Sequence, residues 1–285
     1  MHTQLFHRFS SKVAPGQFGN ALHPARPGRI LTGLALGAAA LLIAVAPSPA
    51  AAEPTDVTIR VLSRDAKFVG TSMGGARIVL RDVHTGEVLA SGVTEGGTGN
   101  TSMIMHRDGG RRTRMADGSA ASFSATLDLD EPRLIEAEAT GPAAQPQAEQ
   151  RVSATQWVVP GRAPGGREGW ILELPGFAVD VLAPPAHVRF SGDLEQVEVR
   201  ANVTMMCGCP IEPGGLWDAD GYEVEMIVVR NGERIDSRPM AYAGQTSQFA
   251  GEFEVGESGV YAITVYAYDP RTGNTGLDRT TFIVQ

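Results

Sequence analysis

Both cysteines and two of the nine methionines of this 285-residue chain stand in one run, Met205-Met206-Cys207-Gly208-Cys209-Pro210. Four sulfur atoms therefore fall within five residues. Ligands this soft favour Cu(I), whereas a structural zinc site asks for four nitrogen or sulfur ligands in a closed set. If the extended stretch Val197 to Thr204 continues through the run, alternation turns Met205, Cys207 and Cys209 to one side. One thioether and two thiolates would then converge on a point. Met206 and Met240 are the available supplements, and Trp217 is the aromatic that would cap a bound cation.

A Cys-x-Cys pair has other uses. In an oxidising compartment the thiols close a tight disulfide ring, labile enough for thiol–disulfide exchange. They also serve as plain buried structure, paired or reduced, with the methionines filling core. Metal, redox and structural readings all stay open at this level.

A second sulfur-rich spot, Met103-Ile104-Met105-His106, follows the loop Gly96-Gly97-Thr98-Gly99. As a strand it places Met103 and Met105 on one face and His106 opposite, a spacing suited to weak copper binding or to simple core filling. Other constellations carry less. Asp218-Ala219-Asp220-Gly221-Tyr222-Glu223 alternates carboxylates as calcium loops do, but lacks the further ligands of an EF-hand. Past residue 52 the histidines are His84, His106 and His187, with none near Cys207, which argues against a blue-copper site. There is no nucleophile elbow. The expectation is a protein without catalytic activity, a thiol oxidoreductase being the minor alternative, and with no cofactor beyond Cu(I).

These residues must be placed in a compartment and a fold. Residues 1–29 carry Arg8, Lys12, Arg26 and Arg29 and no acidic group, an apolar run spans Ile30 to Ala46, and Pro47-Ser48-Pro49-Ala50-Ala51-Ala52 is rich in small residues. This pattern predicts a cleaved signal peptide over 1–52, an uncleaved membrane anchor being the alternative, and a bacterial periplasmic or secreted protein with membrane contact only through that segment. The remaining 233 residues hold 20 basic and 32 acidic side chains, a formal charge of −12. Such an acidic chain disfavours nucleic acid as a partner. Its one basic run, Arg107 to Arg114, lies in a Gly-rich stretch and reads as a solvated loop.

Short β-branched, alternating segments dominate: Val57–Leu62, Ala76–Leu80, Val197–Arg200 and Val224–Val229. Turn signals at His84–Glu87, Arg230–Glu233 and Pro270–Asn274 separate them. The pattern predicts an all-β chain of two antiparallel sandwiches, divided at Leu182-Ala183-Pro184-Pro185-Ala186 into residues 53–184 and 185–285. Strands around Trp157 and Trp170 should close the first.

Gly75 to Asp82, then Thr85-Gly86-Glu87-Val88-Leu89-Ala90 and Thr94, resembles the start of a transthyretin-like or carboxypeptidase-regulatory-like sandwich: a strand, a Thr-Gly turn, a second strand, and a threonine before a glycine-bearing loop. Gly259 to Asp269 with Gly273 to Gly276 and Thr280 to Val284 resembles the last hairpin of bacterial immunoglobulin-like domains. The Cys-Gly-Cys-Pro run and Gly214-Gly215-Leu216-Trp217 fall outside that pattern. The leading expectation is a binding protein holding Cu(I) at Met205, Cys207, Cys209 and Met206. The alternative is a structural or adhesive module that engages a cell-envelope protein or a polysaccharide.

Overall fold

The computed structural model describes residues 51–106, 110, 113–191 and 196–285. The expected signal segment, apart from Ala51 and Ala52, lies outside the described residues, as do Arg107, Arg111 and Arg112 of the basic run.

Eight strands build the first sandwich: β1 (Glu53–Ser63), β2 (Arg77–Asp82), β3 (Val88–Val93), β4 (Glu95–Thr98), β5 (Ala120–Leu129), β6 (Arg133–Gly141), β7 (Gln150–Val158) and β8 (Trp170–Leu174). They form two sheets, β4-β5-β1-β8 and β3-β2-β6-β7. Strict alternation makes this possible: along β1, Thr55, Val57, Ile59, Val61 and Ser63 are buried and the residues between them are not. The core between the sheets includes Ile59, Ile78, Leu80, Ile135 and Leu174. The His84–Glu87 turn joins β2 to β3, its backbone N–H groups at His84 and Thr85 held by the buried Asp82 carboxylate at 2.8 and 2.9 Å. Those two bonds, together with the neighbouring Arg133, hold Asp82 below the ordinary carboxylate range. Thr94 is buried as well, its hydroxyl accepting from Ala76 N–H (2.9 Å) and donating to the Val69 carbonyl (3.3 Å).

Nine strands build the second sandwich: β9 (Phe177–Ala183), β10 (Val188–Phe190), β11 (Gln196–Met205), β12 (Glu223–Arg230), β13 (Glu233–Pro239), β14 (Ala241–Tyr242), β15 (Gln248–Glu254), β16 (Gly259–Tyr268) and β17 (Thr275–Val284). The sheet β14-β15-β11-β9 faces β10-β17-β16-β12-β13. This is the strand order of an immunoglobulin-like sandwich. Tyr261, fully buried near the start of β16, donates its hydroxyl to the Glu257 carbonyl four residues upstream at 2.6 Å, the tyrosine corner of such folds. Its ring stacks on Phe282 with centroids 5.0 Å apart. The Asn231-Gly232 turn has both residues at positive φ, 52° and 91°, as a two-residue hairpin requires.

The sandwiches are antiparallel as expected, with one parallel pair in each: β1 with β8, and β10 with β17. In each case the chain returns after building strands elsewhere, so the short-hairpin constraint on direction is absent. One expectation is corrected: the boundary at residues 184/185 comes one strand late. β9 pairs with β11 from Arg200 to Met205, so the second sandwich begins after Pro175-Gly176. The Pro184-Pro185 pair marks where an extended run leaves one sheet for the facing one, and proline interrupts a ladder whether or not a linker follows.

The free edge of β9 is closed by side chains. Asn274 Oδ1 accepts from Gly176 N–H (3.0 Å), Asp278 Oδ2 from Val181 N–H (2.8 Å), and Gln147 Nε2 of the first sandwich donates to the Val179 carbonyl (3.1 Å). Burial, and then the charge of Asp278, raise the Asp180 carboxyl above its ordinary value.

Tyr261→Phe should lower stability by about 1 kcal/mol in denaturant titration, the worth of one buried hydrogen bond. Because the pKa of Asp180 is raised on folding, ionisation there opposes folding as pH climbs through the folded value. Asp180→Asn should therefore raise the melting temperature at pH 7, with the gain shrinking as pH falls toward 3.8. Parallel melting curves across pH check this; a gain that persists at low pH contradicts it.

Candidate functional site

β11 ends at Met205, and the chain turns at once. Gly208 N–H donates to the Met205 carbonyl (2.8 Å) and Met205 N–H to the Cys209 carbonyl (3.2 Å). Gly208 sits at φ +74°, and a Cβ there would lie 2.8 Å from the thioether sulfur of Met73, so both conformation and space call for glycine. Cys207 and Cys209 are joined in a disulfide with their Cα atoms 5.4 Å apart. Both are buried.

Of the four sulfur residues, the three that the extended reading turns to one side stay together. Met205, Cys207 and Cys209 do line one core, that of the second sandwich, but Met206 turns into the core of the first. With both cysteine sulfurs spent on each other, neither is a thiolate, and the folded, oxidised loop does not fit the proposed Cu(I) ligand set. Among the described residues no three His, Cys, Asp or Glu side chains are placed to hold an ion.

The loop continues as a built structure. Ile211 and Ser247 exchange hydrogen bonds: Ile211 N–H donates to Ser247 Oγ and Ser247 N–H to the Ile211 carbonyl, both at 3.0 Å. Asp218 Oδ1 accepts from Gly214 N–H (2.9 Å) and Asp220 N–H (3.2 Å). The carboxylate pattern that resembles a calcium loop is thus a capped turn. Its product is the placement of Trp217, a buried side chain whose indole N–H donates to the Asp65 carbonyl of the first sandwich at 3.0 Å.

Asp65 stands at the tip of the turn that follows β1, at φ +56°. Three groups of the second sandwich converge on that turn, and one residue of the turn enters the second core. Trp217 takes the Asp65 carbonyl, Asn274 Nδ2 donates to the Arg64 carbonyl at 3.1 Å, Arg271 pairs with the Asp65 carboxylate, and the side chain of Ala66 enters the second core. Asp269, buried at the root of the β16–β17 loop, holds that loop through Arg271 N–H (2.8 Å) and Thr272 Oγ1 (2.7 Å). Tyr222 lies edge-on to Phe177, ring centroids 5.2 Å apart. Burial and the carboxylates of Asp269 and Asp65 push its phenol up to about 12, so it stays neutral.

The second sulfur-rich spot is a single helical turn, α1 (Thr101–Met105), capped by Asn100 Oδ1 accepting from Met103 N–H at 3.2 Å. Residues two apart do not share a helix face, so Met103 and Met105 diverge, contrary to the strand reading. Ile104 is the buried member, Met105 packs toward the second core, and His106 is exposed at the turn's end. A cleft of about 410 Å³ opens beside it, lined by Leu62, Asp65, Ala66, Ile104, Met105 and Glu173. Its carboxylates are already engaged, Asp65 with Arg271 and Glu173 with Arg64.

Sequence reading did not find Met73, Asp65, Arg271 or Asn274, because each acts on a residue far along the chain and sits in an ordinary turn. Nor did it find that Trp157, on one of the strands expected to close the first sandwich, stands 60% exposed on the outer face of β7 beside His84.

No family model matches the chain, and no curated protein matches it. Solved structures similar to it include an engineered protein (16% identity over 45% of this chain and 24% of that one, TM-score 0.29). This chain thus spans about a quarter of that protein's length. Others are fibronectin(III)-like modules of Clostridium thermocellum CbhA (15% identity, 84% and 92% covered, TM-score 0.26) and the chicken interferon gamma receptor alpha chain (11%, 81% and 98%, TM-score 0.28).

If Trp217 couples the sandwiches, the intact chain should melt in one calorimetric transition. Trp217→Ala should lose about 3–5 kcal/mol of stability and split that transition in two. An unchanged single transition in the variant contradicts the coupling.

Proposed function

We propose that this chain is a non-catalytic interaction module of the cell envelope or the secreted space, two β-sandwiches held as one rigid body to present their outer faces to a macromolecular partner. The single observation that carries this reading is the closure of the Cys207–Cys209 pair in the loop that delivers Trp217 to the first sandwich: the groups with the most chemical potential are used to lock the junction. The pair also supports an oxidising compartment, in keeping with the basic and apolar N-terminal pattern. For the first sandwich we favour a transthyretin-like type. Its β2, Thr-Gly turn and β3 occur as that resemblance implies, and Thr94 ties the following loop to the strand before.

Cu(I) uptake and thiol exchange belong to a reduced chain, in which Met205 and the two thiols would line one core. Anaerobic Cu(I) titration of the reduced protein against a competing chelator, with a Cys207→Ser/Cys209→Ser control, separates the readings. The module predicts no competition and no difference from the control. Tight one-to-one uptake abolished in the control would replace the module with a copper carrier.

A further inference from the structure

Sheet edges are rows of unpaired backbone N–H and C=O groups, and proteins that stay monomeric blunt them. Most edges of this molecule are blunted. β4, β10 and β14 have four residues or fewer. β13 carries Glu233, Arg234, Asp236, Arg238 and Pro239. β9 is closed by Asn274, Asp278 and Gln147. β8 is five residues long and gives its last carbonyl to Arg64 N–H (2.9 Å), and β3 is six residues with Gly92 pressed against Phe123.

β7 differs. It runs nine residues, Gln150–Val158, with no proline or glycine and one charge, Arg151. Among the described residues its backbone bonds only to β6; β8, the nearby strand of the other sheet, forms no ladder with it. Its outward side chains are Arg151, Ser153, Thr155 and Trp157, all exposed.

We propose that β7 pairs antiparallel with β7 of a second copy across a twofold axis at Ala154, joining two four-stranded sheets into one of eight. This rests on the reading of the chain as an interaction module and names its partner. The strand is self-complementary in that register. Trp157 of each copy faces Arg151 of the other on the same surface, a cation over an exposed indole, and Thr155 faces Ser153. Within one copy Arg151 reaches Glu138 only at 3.7 Å and its side chain is 71% exposed, which leaves it free to share. A slip by one residue would turn the two strands' outer side chains to opposite faces and lose both pairs.

The test is sedimentation velocity of the full chain over a wide concentration range, beside the variant Ser153→Lys/Thr155→Lys. In one copy these lysines stand opposite Glu138 and Glu136 on β6, so the fold is kept. Across the twofold, each lysine would oppose another lysine. The wild type should show a monomer–dimer equilibrium. The variant should raise the dissociation constant by about tenfold or more with no loss of melting temperature in dilute solution. Trp157→Ala should weaken the dimer in the same direction. A wild type that is monomeric throughout overturns the pairing, as does a double-lysine variant that dimerises like wild type. Either failure leaves the module reading standing, since that reading falls only to Cu(I) uptake.

Discussion

When the turn Arg64–Ala66 is pushed against a second domain, its backbone carbonyls leave water and must find donors, and the second sandwich is arranged around supplying them. An unpaired buried peptide group costs on the order of a hydrogen bond or more, so each of the two carbonyls at the junction needs a donor. The Asp65 carbonyl receives the Trp217 indole N–H and the Arg64 carbonyl receives the Asn274 amide. Each donor comes from a different loop, and each loop has its own internal brace: Asp218 and the disulfide for one, Asp269 for the other. The described residues from 51 onward accordingly form a single compact unit even though they contain two cores.

This arrangement explains why the sulfur-rich run is where it is. An ordinary loop between β11 and β12 has no need of two cysteines. Here the chain must leave β11, turn within four residues, and carry Trp217 to the neighbouring sandwich. Met205 and the disulfide fill the second core on one side of the turn while Met206 fills the first on the other. Methionine suits a seam between two packed surfaces, since its unbranched side chain adapts to irregular gaps. Met73 lies against Gly208 from the opposite domain, so sulfur contacts sulfur-bearing loop across the seam. At this seam the side chains pack and satisfy polar groups, and the two cysteines are bonded to each other.

The outer surfaces are less constrained. β7 carries an exposed tryptophan on a long edge, while β9 and β13 are guarded by side chains and charge. Such asymmetry among edges of one molecule is a property of the assembled sheets and has no counterpart in the core.

Period-2 alternation along β1, β11 and β12, and turns such as Asn231-Gly232, were legible in the sequence because strand burial and positive-φ preferences are local. They determined an all-β chain of two sandwiches. What the tertiary structure alone decided was partnership. β9 went to the second sandwich, because the Pro184-Pro185 break reads alike as a linker or as a change of sheet. Met103 and Met105 went to a helical turn, because a short apolar run has no period of its own and Asn100 capped it. Met205 and Met206 parted to different cores, because which surfaces close over a residue depends on chain far away in sequence, as Met73 against Gly208 shows.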